Sequence, residues 1–209
     1  AMGQRANFEE AYSGPTFQGS YIGGVYYPDK TRVGWWKNGY PEYFAKVLNA
    51  PNWIGIDVEI DGSALDLATC SNIKNFKREL NMREGWYQRS FVANTSKNIE
   101  IEVVATRFLS LSHDEVGAIK FEITPLNSDA SIVFKPYIDA GITNEDSNWD
   151  DKFWNTTKIT SEKNRAFIAS HTMKTNFKVC TFMQAHLSYG DNLKVTPDAE
   201  KKEELSIGF

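Results

Sequence analysis

Apolar residues recur at every second position in one short segment after another, with turn residues between the segments. Ile54, Ile56, Val58 and Ile60 line one face of a strand while Asp57 and Glu59 line the other. Asp61-Gly62 then offers a two-residue hairpin turn whose central positions want φ > 0, and Leu65 and Leu67 return on the partner strand. The same alternation runs through Ile99, Ile101, Val103 and Ala105, and through Ile119, Phe121 and Ile123, where Pro125 stops it. Ile132, Phe134, Pro136 and Ile138 follow, Pro136 hinting at an edge or a bulge. Phe167 and Ala169, then Phe177, Val179, Thr181, Met183, Ala185 and Leu187, complete the series. Roughly ten to twelve strands with turn chemistry between them predict an all-β fold, a large antiparallel β-sandwich with few short helices. Helical spacing is confined to residues 40–49 and 197–205. The sandwich is expected over residues 1–196, with 197–209 a charged tail and the start of a linker.

The chain has 209 residues, enough to bury a sizeable core. Its net charge of −4 comes with no Lys/Arg block, which argues against a nucleic-acid partner. No apolar stretch approaches the length of a membrane span, and no leader pattern opens the chain. The implied location is cytoplasmic, or periplasmic where a leader lies upstream. Cys70 and Cys180 stand too far apart in sequence to suggest a disulfide framework, and Cys180 reads as a buried strand thiol.

Spacing excludes most catalytic signatures. There is no Gly-x-Ser-x-Gly elbow. Gly34-x4-Gly39 has phosphate-loop spacing, but Tyr40-Pro41 stands where Lys-Ser/Thr is needed. His113, His171 and His186 share no ligand-like spacing, so neither a metal nor a cofactor is expected. Glycosidic cleavage needs two carboxyl groups across the bond, and the doublets Glu9-Glu10 and Asp150-Asp151 are the candidates. On a strand, adjacent side chains point to opposite faces, so solvated charge or local capping is the favoured reading for both.

Two polar-aromatic excursions interrupt the strands, at residues 29–51 and 144–155. Trp35, Trp36, Lys37 and Asn38 in the first, and Trp149, Asp151 and Trp154 in the second, set indoles beside hydrogen-bonding groups. A sugar ring needs such a plate for its C–H face and polar groups for its hydroxyls. Packing against a neighbouring domain is the favoured alternative, because buried aromatics dominate interfaces.

Several runs, in order, carry a family resemblance. They are Met2-Gly3-Gln4-Arg5-Ala6-Asn7-Phe8-Glu9-Glu10, Tyr21-Ile22-Gly23-Gly24-Val25-Tyr26, Pro51-Asn52-Trp53, Asp61-Gly62 and Arg78-Glu79-Leu80-Asn81-Met82-Arg83-Glu84-Gly85. Together they resemble the N-terminal domain of glycoside hydrolase family 65, bacterial phosphorylases and hydrolases of α-glucosidic disaccharides. Ala6 stands where the family usually has Gly, and Asn81 where it usually has Asp. The resemblance implies a galactose-mutarotase-like supersandwich that leads into a catalytic (α/α)6 barrel, with a homodimeric parent. The family's general acid lies in that barrel, so no catalytic residue is carried over. Three readings follow, in order of preference. The first is a non-catalytic accessory domain, the second a free-standing carbohydrate-binding module, the third a mutarotase-like sugar epimerase. Which disaccharide the parent uses, and whether phosphate or water accepts the glucosyl unit, lies outside these residues.

Overall fold

Strands account for the regular structure throughout. The computed structural model describes every residue except 1, 6–7, 17, 32–38, 40, 145–150, 191–192 and 196–198. For residues 4–5, 193–195 and 201–203 it describes the backbone alone. Among the described residues there are eighteen strands and no helix. The first six are β1 (Met2–Arg5), β2 (Gly19–Ile22), β3 (Tyr26–Lys30), β4 (Tyr43–Val47), β5 (Ile56–Ile60) and β6 (Ser63–Ala64). Longer strands follow: β7 (Ser71–Asn81), β8 (Trp86–Asn94), β9 (Glu100–Leu109), β10 (Gly117–Pro125) and β11 (Ile132–Asp139). The series closes with β12 (Trp154–Glu162), β13 (Arg165–Thr172), β14 (Lys178–Gln184), β15 (Leu187–Tyr189), β16 (Leu193–Val195), β17 (Glu200–Glu203) and β18 (Ser206–Gly208).

The chain forms two compact units that interleave in sequence. One holds residues 1–2, 7–16 and 54–136; the other holds 3–6, 17–53 and 137–209. In the first unit β10, β9, β8 and β7 form an antiparallel sheet in that order. Its inward positions, Phe91, Ala93, Ile101 and Val103, are buried with Val58, Ile60, Leu65 and Leu67 in one cluster. The β5–β6 hairpin turns on Asp61 (φ 49°) and Gly62 (φ 74°), both left-handed, as a two-residue turn of this type demands. Strand β7 is irregular. Its pairing with β8 shifts between Ser71 and Lys74 and again between Lys74 and Lys77. Asn72 (φ 50°) and Asn75 (φ 55°) absorb those bulges, Asn being among the residues that tolerate this region.

In the second unit β13 lies between β12 and β14, and β3 pairs with β4. Two apolar clusters form here. One gathers Val25, Tyr27, Leu48, Ala50, Phe153 and Trp154; the other gathers Ile138, Ala140, Ala166, Ile168 and Ile207.

Three expectations need correction, and the alternative at Pro136 is resolved. Helical spacing at 40–49 gives strand β4, because backbone pairing with β3 outweighs the local pattern. Helical spacing at 197–205 gives no helix among the described residues: β17 pairs with β18, and Ile207 is almost wholly buried. Of the two readings offered for Pro136 the edge holds and the bulge does not: among the described residues, 132–136 pair with β5 alone, in unbroken register, and 137–139 pair with β18. Cys180 is exposed, since on β14 it alternates with the inward Val179, Thr181 and Met183.

Candidate functional site

Trp35, Trp36, Lys37, Asn38 and Trp149 lie outside the described residues. Asp151 is half-buried and Trp154 is buried. Trp154 opens β12, packs among Val25, Leu48 and Phe153, and donates its indole N–H to the Asn49 carbonyl at 2.8 Å. That ring therefore belongs to the core and offers no plate to a sugar.

The bases of the two excursions are tied together within the second unit. The Asn49 amide N–H donates to Asn144 Oδ1 (2.7 Å), and Asn49 Nδ2 donates to the Thr143 carbonyl (2.9 Å). Asn49 Oδ1 accepts from the Ser20 N–H at 2.8 Å, while Asn144 Nδ2 donates to the Val47 carbonyl at 2.9 Å. Both asparagines are buried, so these bonds satisfy groups largely withdrawn from water. The strand that returns from the first excursion is thus fixed beside both ends of the second. Below them the Lys46 ammonium pairs with Asp29 and faces the Phe153 ring at 5.1 Å. Tyr27 meets Phe153 edge-on at 4.7 Å between centroids. Burial, then Asp29, then Asp151 push the Tyr27 phenol above its ordinary pKa. These are packing and charge-balancing contacts.

The carboxylate doublet Glu9-Glu10 behaves differently from the solvated pair expected. It sits in a bend, so the opposite-face rule of a strand does not apply, and both side chains turn inward. Arg89 takes both of them. Its Nη1 donates to Glu10 Oε1 (2.7 Å) and its Nη2 to Glu9 Oε2 (2.8 Å), with a further bond to Glu10 Oε2. Arg107 Nη1 donates to the remaining Glu9 oxygen at 2.9 Å. Burial alone would lower the Arg89 guanidinium, but the bonds and charge of Glu10, then Glu9, outweigh it and hold the group above its ordinary pKa. The ring of Phe8 stacks on Tyr12 at 4.2 Å and lies 4.9 Å from Arg89 Cζ. Chemically this is an ion cluster in which every carboxylate oxygen already accepts from a guanidinium. No carboxylate oxygen of the pair is left open to meet a leaving group.

The sequence carried a signal for it. Arg89 shares its strand face with Phe91 and Ala93, and an arginine on an apolar face requires an anionic partner. Asn49 and Asn144 carried no such signal, because their relation spans 95 residues. Among the described residues no group of three His, Cys, Asp or Glu side chains could hold a metal ion.

Comparison with known proteins follows the same direction. The model of the glycosyl hydrolase family 65 N-terminal domain matches residues 1–209. Maltose phosphorylase of Bacillus subtilis (strain 168) is 46% identical over 84% of this chain and 23% of its own length. Alpha,alpha-trehalose phosphorylase of Thermoanaerobacter brockii is 31% identical over 84% of this chain and 24% of its own. A solved structure assigned as a kojibiose phosphorylase from the human microbiome superposes with a TM-score of 0.76 at 25% identity. It covers 99% of this chain and 26% of that one. The chain thus spans about a quarter of the length of these relatives.

Proposed function

Because this chain belongs to the N-terminal domain family of glycosyl hydrolase family 65, we propose that it serves as the non-catalytic portion of a longer phosphorylase acting on an α-glucosidic disaccharide, maltose first among them. The observation that carries this reading is a family match over residues 1–209 in a chain that spans only 23% of its maltose phosphorylase relative. The engaged state of Glu9 and Glu10 supports the non-catalytic half, since neither can act as the acid. In the reaction a phosphate oxygen replaces the glycosidic oxygen at the anomeric carbon, and the departing glucose takes up a proton from an acid. That acid is supplied outside these residues, by an (α/α)6 barrel of the same polypeptide in a homodimeric, cytoplasmic enzyme. Trp35, Trp36, Lys37, Asn38, Trp149 and Asp151 stay in the proposal as contacts for the barrel or its sugar. Trp154, being buried, does not.

The test is release of glucose 1-phosphate by the longer enzyme supplied with phosphate and maltose, with trehalose and kojibiose as comparisons. The 209-residue chain alone should turn over none of them. Turnover by the isolated chain, or cleavage by the longer enzyme that ignores phosphate, would overturn the proposal.

A further inference from the structure

Strand β7 presents an apolar and cationic face that nothing among the described residues covers. Register with β8 places Phe76 beside Phe91, Arg78 opposite Arg89 and Leu80 opposite Tyr87. These positions share the face that farther along the sheet forms the buried core, so β7 continues an inward face beyond the edge of its cover. Ile73 and Phe76 are each 44% exposed and Leu80 is 65% exposed. Met82, in the turn that follows, is 86% exposed. The opposite face of the sheet is mixed: Lys120 lies beside Glu122 and Gln88 bonds to Thr106, while Trp86 stands opposite Phe108 at one end.

This turn is stiff. Asn81 Oδ1 accepts from the N–H groups of Arg83 (3.1 Å) and Glu84 (3.0 Å), and the Gly85 N–H donates to the Asn81 carbonyl at 2.8 Å. Glu84 Oε2 accepts from Trp86 Nε1 (2.8 Å) and from Asn81 Nδ2 (3.4 Å). An aspartate at position 81 could not make that last bond. Gly85 closes the turn at φ 75°, a left-handed region that residues with a Cβ rarely adopt. Leu80 and Met82 are therefore held out in a fixed geometry, which lowers the ordering cost of docking.

The charge on this face is also unbalanced. Arg78 lies 5.2 Å from the rings of Phe8 and Phe76, and among the described residues no carboxylate pairs with it. Glu9 and Glu10 are occupied by Arg89 and Arg107. A complementary partner would set a carboxylate over Arg78 between apolar side chains that cover Leu80 and Met82.

We propose that the β7 face, from Ile73 through Arg78 and Leu80 to Met82, is a docking surface for a segment of the same longer polypeptide outside residues 1–209. The inference rests on the reading of this chain as part of a longer phosphorylase. Relatives in which a chain of this kind makes up about a quarter of the length leave ample polypeptide to supply the occupant. A second copy of the chain is the competing occupant.

The experiment places a photo-crosslinking amino acid in the longer enzyme, as Met82→p-benzoylphenylalanine, with Lys120→p-benzoylphenylalanine on the solvated face as control. Mass spectrometry should map the Met82 crosslink to a peptide of the same polypeptide outside residues 1–209, with none from position 120. A crosslink between subunits, no crosslink from position 82, or equal yields from both positions would overturn the inference. Glucose 1-phosphate release is measured on the same preparations. Active enzyme without the intrachain crosslink sinks the docking surface alone. The crosslink in an enzyme that phosphorolyses none of the three sugars sinks the phosphorylase reading alone.

Discussion

Arg89→Ala tests whether the buried ion cluster holds residues 8–12 against the four-stranded sheet. The guanidinium side chain is 1% exposed, and the carboxylates of Glu9 and Glu10 are fully buried. Among the described residues, removing it leaves Glu10 without a cation and Glu9 with Arg107 alone. Breaking a buried ion pair by deleting one partner costs about 3–5 kcal/mol, because the survivor stays desolvated. Loss of the Arg89 contacts with Phe8 and Phe91, at 4.9 and 5.4 Å, adds about 1 kcal/mol. That is about a quarter or more of the roughly 5–15 kcal/mol that folded proteins hold in reserve. With a urea dependence of about 2 kcal/mol per molar, the unfolding midpoint should fall by about 2–3 M, read by tryptophan fluorescence. Arg89→Lys should lie between, since it keeps the charge but loses the planar fork that engages both carboxylates. The triple variant Glu9→Gln, Glu10→Gln, Arg89→Met should recover most of the loss, because no buried charge is stranded on Arg89's side of the cluster. An Arg89→Ala midpoint within experimental error of the parent would refute the account.

Three further outcomes follow from single sites. Burial raises Asp66, but bonds from Ser13 and Ala68 outweigh it and hold the carboxyl below its ordinary 3.8. A depressed folded pKa gives stability that is present above pH 3.8 and lost as pH falls through the folded value, so Asp66→Asn should flatten the acid limb of urea midpoints measured on either side of that pH; an unchanged slope contradicts it. Cys180 is exposed, whereas Cys70 is half-buried with its thiol pushed up by burial, then by Asp66 and Glu10. A chromogenic disulfide should therefore titrate Cys180 first, and equal rates would be the wrong result. Gly62→Ala has open space around the new methyl but an unfavourable φ of 74°, so it should cost about 1 kcal/mol through backbone strain alone; the urea midpoint checks it.

Legibility of the sequence varied with how local the deciding interaction was. The β5–β6 hairpin was readable because its alternation and its Asp61-Gly62 turn are complete within a dozen residues. Strands β9 and β10 were readable for the same reason. Strand β4 was not. Tyr40, Tyr43, Phe44, Val47 and Leu48 fall on a helical stripe, and the inward-facing Lys46 looks like a solvent position until Asp29 is set beside it across the ribbon. The β17–β18 pair was not readable either, because the charges of that stretch precede Ser206 and Ile207, the residues that bury. At the candidate site, the run Tyr87, Arg89, Phe91, Ala93 announced an arginine on an apolar face, while its partners Glu9 and Glu10 lay some 80 residues away. Trp154 was readable as an aromatic of consequence but not as a core residue, because its fate depends on the Asn49 carbonyl.

The ion cluster and the uncovered β7 face are mechanically one object. Phe8 lies between two guanidiniums, 4.9 Å from that of buried Arg89 and 5.2 Å from that of exposed Arg78. Glu9 and Glu10, the residues directly after Phe8, are held by Arg89, so the position of the ring is set by bonds that water does not reach. Arg78 then rests on a ring that cannot drift, and its charge is presented at a fixed place on the face that also carries Leu80. It follows that Arg89→Ala should loosen more than the fold. In the longer enzyme it should also reduce crosslinking from position 82, under conditions where the domain remains folded. Lys120→Ala, on the opposite face of the sheet, should leave that crosslink intact. If Arg89→Ala folds and still crosslinks at the parental yield, the buried cluster and the docking face are independent, and the order in Arg78 has another source.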